Sequence, residues 1–83
     1  MKKMKTYEAL HRYLIDKGVR RDSIRVNLMP KDNTYCIHNI GNEVEVFYSE
    51  RGLKIDLRIF NTDKEAIEFF KELVLSDESV FNK

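Results

Sequence analysis

Two alternating segments, Glu43-Val44-Glu45-Val46-Phe47-Tyr48 and Leu53-Lys54-Ile55-Asp56-Leu57-Arg58-Ile59-Phe60, flank Ser49-Glu50-Arg51-Gly52 and leave little alternative to a β-hairpin. Side chains two apart on a strand share a face, so each segment carries an apolar and a polar side. With Tyr48 opposite Leu53, Val46 falls opposite Ile55 and Val44 opposite Leu57, a register that collects every apolar pair on one side. The other side then presents Glu43, Glu45 and Phe47 with Lys54, Asp56 and Arg58, and Gly52 supplies the positive φ that a tight tip carrying Glu50 and Arg51 needs.

The flanking elements follow from periodicity. Thr6 is positioned to cap a helix over 7–17, with Tyr7, Leu10, Leu14 and Ile15 at helical spacing and Gly18 after its last turn. Ile24, Val26 and Leu28 alternate as a strand that Pro30 ends. A further strand is expected over 34–40, where Tyr35 and Ile37 point opposite to Cys36 and His38, and Gly41-Asn42 turns it into the hairpin. Thr62-Asp63-Lys64-Glu65 is a capping box opening a second helix, whose apolar stripe is Ala66, Ile67, Phe70, Leu73 and Val74 and which ends near Ser76-Asp77. Val80 and Phe81 form a clip onto the core. The expected fold is α+β: a two-layer sandwich in which an antiparallel meander of three to four strands carries an N-terminal and a C-terminal helix on one face, the other face left in water.

Eighty-three residues make a single domain, 1–83, because so short a chain buries only about 60% of its unfolded surface and cannot divide into two cores. One cysteine, Cys36, leaves no internal disulfide framework and points to a reducing, cytoplasmic setting. Met1 to Lys5 is followed by Thr6, Tyr7 and Glu8 rather than an apolar signal region, and no stretch is apolar enough to span a membrane. Residues 1–31 carry nine basic and three acidic side chains, and residues 32–83 six basic and eleven acidic, so the net charge of +1 hides a +6/−5 division. Solvated faces that neutralise one another are the ordinary meaning of such a division.

Candidate chemistry is sparse. Cys36 and His38 share a strand face as a nucleophile with its base would, but residues two apart lie about 7 Å from each other along a strand, beyond the reach of base activation. His11, His38 and Cys36 have no metal-ligand spacing, so neither metal nor cofactor is expected. Glu43, Glu45 and Asp56 can cluster on an open face, where Lys54, Arg58 and Arg25 neutralise them. Lys2, Lys3, Lys5, Arg12, Lys17, Arg20, Arg21 and Arg25, with Phe47 and Phe60 as a stacking platform, keep a small nucleic-acid-binding or adaptor domain as the alternative, against the acidic residues on the same face.

Cys36-Ile37, then Glu45-Val46-Phe47-Tyr48-Ser49-Glu50-Arg51-Gly52, then Phe60-Asn61-Thr62, Glu65-Ala66 and Phe69-Phe70 together resemble the short immunity proteins of bacterial polymorphic-toxin and contact-dependent growth inhibition systems. The resemblance covers most of the chain after Thr34, with Tyr-Ser-Glu-Arg-Gly its most specific element; residues 1–30 match only as an amphipathic helix plus a strand. It implies a non-catalytic protein that binds one cognate toxin C-terminal domain and blocks its active site or substrate surface. Parity assigns the contact to Glu43, Glu45, Phe47, Glu50 and Arg51, side chains the core does not need, and an acidic face suits a nuclease toxin with a basic groove.

Overall fold

The computed structural model describes residues 2–81, with side chains described from Thr6 onward. The chain runs α1 (Lys2–Asp16), β1 (Ile24–Val26), β2 (Thr34–Asn39), β3 (Val44–Glu50), β4 (Leu53–Phe60) and α2 (Asp63–Leu75), with single 3-10 turns at Arg21–Ser23 and Glu78–Val80. The four strands form one sheet in the order β1-β2-β3-β4. The fold is therefore α+β, a four-stranded mixed sheet with one N-terminal and one C-terminal helix.

The helices share one sheet face because their apolar stripes need the same cover. Tyr7, Leu10 and Leu14 of α1 and Ala66, Ile67, Phe70 and Val74 of α2 are buried against Ile24, Ile37, Val44 and Val46 of the sheet. A polar tie joins the layers: the Tyr7 hydroxyl donates to Asp63 Oδ1 at 2.5 Å and Asn39 Nδ2 donates to the same oxygen at 2.7 Å, which pins the start of α2 to α1 and to the end of β2.

Helix ends follow local chemistry, with one correction. Thr62 caps α2 by accepting from the Glu65 amide at 3.2 Å, and its hydroxyl donates to the Glu65 carboxylate. At the C-terminus of α1, Val19 N–H reaches Leu14 O and Gly18 N–H reaches Ile15 O, with Gly18 at φ 100°. This is a Schellman ending closed by the buried Leu14–Val19 pair. Thr6, however, lies inside α1 rather than at its cap. The helix begins at Lys2 because Lys and Met are strong helix formers, and no residue ahead of Thr6 breaks the turn. At the other end of the chain the expected clip forms: Val80 is buried, its carbonyl accepts from Arg20 N–H at 2.7 Å, and Phe81 bridges Val19.

The strands β2, β3 and β4 make the antiparallel meander, whereas β1 joins β2 in parallel, Ile24 beside Tyr35 and Val26 beside Ile37. A parallel neighbour ordinarily needs a crossover of a dozen or more residues. Here β1 has only three residues, so the chain must retreat only about 10 Å, and residues 27–33 suffice. Asn27 and Asn33, at φ 55° and 64°, turn the chain out of and back into the sheet, a left-handed conformation that asparagine tolerates. Between them the segment crosses the face away from the helices. The Leu28 carbonyl meets the His38 ring, Arg25 Nε donates to Met29 O, and Thr34 Oγ1 donates to Lys31 O. That strap corrects the expectation of a sheet face left in water: Cys36, Phe47, Thr34 and Ser49 on that side are all buried.

The hairpin register is also corrected. Its turn is two residues, Arg51-Gly52, both at positive φ (53° and 78°), as a type I′ turn requires. Tyr48 then pairs with Ile55 rather than Leu53. A bulge follows at Asp56, φ 52°, so that Val46 pairs with Arg58 and Val44 with Phe60. The extra residue reverses the facing of the second half of β4. Leu53 and Leu57, expected in the core, are exposed, and Ile55 is half-buried.

Candidate partner-binding surface

The five residues assigned by parity do not form one patch. Glu43 is exposed ahead of β3, while Glu50 and Arg51 are exposed at the hairpin tip. A seven-residue strand separates them, about 20 Å of chain. Between these ends Glu45 and Phe47 are already engaged. Lys54 Nζ lies 2.8 Å from Glu45 Oε1 and 5.2 Å from the centroid of the Phe47 ring, and the His38 ring meets Phe47 edge-on at 5.8 Å. Phe47 is 1% exposed and is a core residue of the strapped face, which corrects its assignment as a contact anchor. Phe60 is half-buried with its ring 5.3 Å from Phe69, so Phe47 and Phe60 make no stacking platform.

The Cys36–His38 pair shares its strand face without forming a catalytic couple. The thiol is buried and sits 3.4 Å from Thr34 Oγ1, and burial, against weaker opposing hydrogen bonds, pushes its pKa up. His38 Nε2 is held instead by the Leu28 carbonyl. Glu45 is paired with Lys54, and among the described residues no group of three or more His, Cys, Asp or Glu side chains is arranged to hold a metal ion. No helix among them is long and apolar enough to cross a membrane.

Exposed apolar surface gathers instead on β4, the longer free edge of the sheet. Leu53, Leu57 and Ile59 are 62%, 41% and 52% exposed there. Alongside runs an open cleft of about 690 Å³ between β4 and α2, floored by Tyr35, Tyr48, Ile55, Phe69 and Leu73. Arg58 crosses it with its guanidinium 5.2 Å from the Phe69 ring centroid. At one end the Tyr35 hydroxyl donates to Asp77 Oδ2 at 2.7 Å. Burial first, then that hydrogen bond, moves the Tyr35 pKa up to about 12, while hydrogen bonds from Ser79 and Tyr35 hold the Asp77 carboxyl below the ordinary aspartate value. A second cleft lies between α1 and β1, where Arg12 and Arg21 are balanced by Glu8 and Asp16.

Parity could not reveal the β4 surface because it assumes an unbroken strand. The one sign in the sequence is the Ile59-Phe60 pair, two adjacent large apolar residues that cannot both obey the alternation set by Leu53, Ile55 and Leu57. Comparison with protein-family models, curated proteins and solved structures returns no match.

Proposed function

We propose that this chain is a non-catalytic, cytoplasmic immunity protein that binds one cognate bacterial toxin domain and neutralises it by covering its active site or substrate surface. The observation that carries the reading is the exposed apolar surface of the free β4 edge, with Leu53 on the helix side of the sheet and Leu57 and Ile59 on the opposite side past the bulge, beside an open cleft between β4 and α2. Apolar surface so arranged on a small domain is what a protein partner covers. The Tyr48-Ser49-Glu50-Arg51-Gly52 tip adds its resemblance to the immunity family, and it adjoins that edge. The buried Cys36 thiol and the engaged His38 ring offer no nucleophile to a substrate, which also supports an inhibitor over an enzyme.

Co-expression tests the proposal. On this reading a neighbouring gene is expected to encode a toxin-like C-terminal domain, and that domain is induced alone and together with this chain. Growth arrest by the toxin and recovery in the presence of this chain are expected, with a stable complex on co-purification. Continued arrest with both proteins folded and expressed would overturn the reading.

A further inference from the structure

We infer that the β4–α2 cleft is a docking site for a basic protein segment carrying an apolar anchor. This rests on the immunity reading only for the identity of the partner; the cleft's chemistry stands without it. The floor is apolar and aromatic, as an anchor side chain requires. Its lips are acidic. Glu72 stands three residues after Phe69 and Glu65 four residues before it, so helical spacing puts both carboxylates beside that ring on the outer side of α2. Asp56 faces them from the β4 bulge and Asp77 closes the Tyr35 end. Asp56 and Arg58 are the charged residues of the lining itself, with the Arg58 guanidinium over the Phe69 ring, and the exposed Glu65 and Glu72 on the neighbouring helix surface tip the balance toward negative charge.

Glu65 and Asp77 already accept hydrogen bonds from Thr62, Tyr35 and Ser79, whereas Asp56 and Glu72 have no ion pair among the described residues. The ion pairs among the described residues are Arg20–Asp22, Lys54–Glu45 and Lys71–Glu68, and none engages Asp56 or Glu72. An acidic or neutral occupant would leave Asp56 and Glu72 opposed or unpaired at the interface, whereas Lys or Arg flanking an apolar side chain satisfies lip and floor together. The α1–β1 cleft lacks this bias, since its two arginines face Glu8 and Asp16. A partner that otherwise holds a polyanion in a basic groove has the required surface.

The experiment maps binding of two synthetic peptides to the isotope-labelled full chain by amide chemical-shift perturbation, at low and high salt. One peptide alternates Lys with Phe and Leu; the other replaces each Lys by Glu. Expected are shifts confined to β4 and the Phe69–Leu73 side of α2 with the basic peptide only, weakening as salt rises. Asp56→Asn combined with Glu72→Lys is expected to weaken binding about tenfold, and Leu57→Ala to weaken it severalfold at both salts, each variant keeping its circular dichroism spectrum. Asparagine is chosen at position 56 because it tolerates the positive φ there. Shifts centred on α1 and β1, equal binding of the acidic peptide, or no binding at all would overturn the inference. So would concentration-dependent self-association with shifts in both α1 and α2, because a second copy would then occupy the cleft. Peptide docking together with failure of toxin rescue would sink the immunity reading and leave this site standing; the reverse result would sink the site alone.

Discussion

Phe47 occupies a strand position whose parity assigns it to water, yet it is among the most buried side chains, with the His38 ring edge-on to it and Lys54 over its face. Its truncation is therefore a stability experiment. Phe47→Ala is expected to cost about 3–5 kcal/mol, read as a lower denaturant midpoint, whereas an exposed contact residue would leave the midpoint in place. Tyr35 and Asp77 supply a second residue-level outcome, in pH. Tyr35 ionises near 10.0 when unfolded and at about 12 in the fold, so its contribution is complete below pH 10.0 and is lost as pH rises toward about 12. Asp77 is shifted the other way: its contribution is present above the ordinary aspartate value and is lost as pH falls through the lower folded value. Thermal midpoints followed across pH should show Tyr35→Phe flattening the alkaline decline. Tyr7, also raised by burial and by its bond to Asp63, should retain part of it. An unchanged alkaline limb would mean that the Tyr35–Asp77 bond is not formed in solution.

Among the elements, the hairpin turn and the α2 cap make opposite forecasts. Arg51 holds φ 53° ahead of Gly52, a conformation that costs an ordinary side chain energy and that asparagine adopts readily. Arg51→Asn should therefore raise stability by roughly 0.5–1 kcal/mol, with the denaturant slope unchanged; a lower midpoint would show that the arginine side chain supports the tip. Thr62→Ala should lower stability by about 1 kcal/mol through loss of the α2 cap. The capping box and the Gly18 ending were legible, because each depends on residues adjacent in the chain, whereas the tip expected over Ser49-Glu50-Arg51-Gly52 is the shorter Arg51-Gly52 turn. The start of α1 was not legible, since Thr6 has the chemistry of a cap but the lysines and methionine before it continue the helix.

At the scale of the molecule, the sheet is held unevenly. The strands β2 and β3 are flanked on both edges and covered by the helices, whereas β1 has three residues and β4 has an open side. Native-state hydrogen exchange should accordingly find the β2 and β3 amides most protected and the β1 strand and its strap opening first. Equal protection of β1 would mean that the strap is locked to the sheet as a single cooperative unit. The charge division of the chain takes a spatial form in the same frame. Exposed glutamates line the outer side of α2, where Lys71 pairs with Glu68, while Arg12 and Arg21 share the α1–β1 cleft with Glu8 and Asp16, so much of the division is offset locally.

Periodicity and local chemistry in this sequence were enough to determine two amphipathic helices, a β-meander, a shared core of Tyr7, Leu10, Leu14, Ile37, Val44, Val46, Phe70 and Val74, and the ends of the second helix. These depend on spacings of two to four residues, which the chain carries wherever it folds. Tertiary structure alone decided the parallel seat of β1, the burial of Phe47 and the exposure of Leu57. The first depends on where residues 27–33 cross the sheet, the second on the His38 ring and Lys54 packed against Phe47, and the third on one extra residue at Asp56 that turns the end of β4 over. A period-two pattern describes only an unbroken strand, and a bulge or a crossing strap reassigns its faces through contacts between segments far apart in the chain.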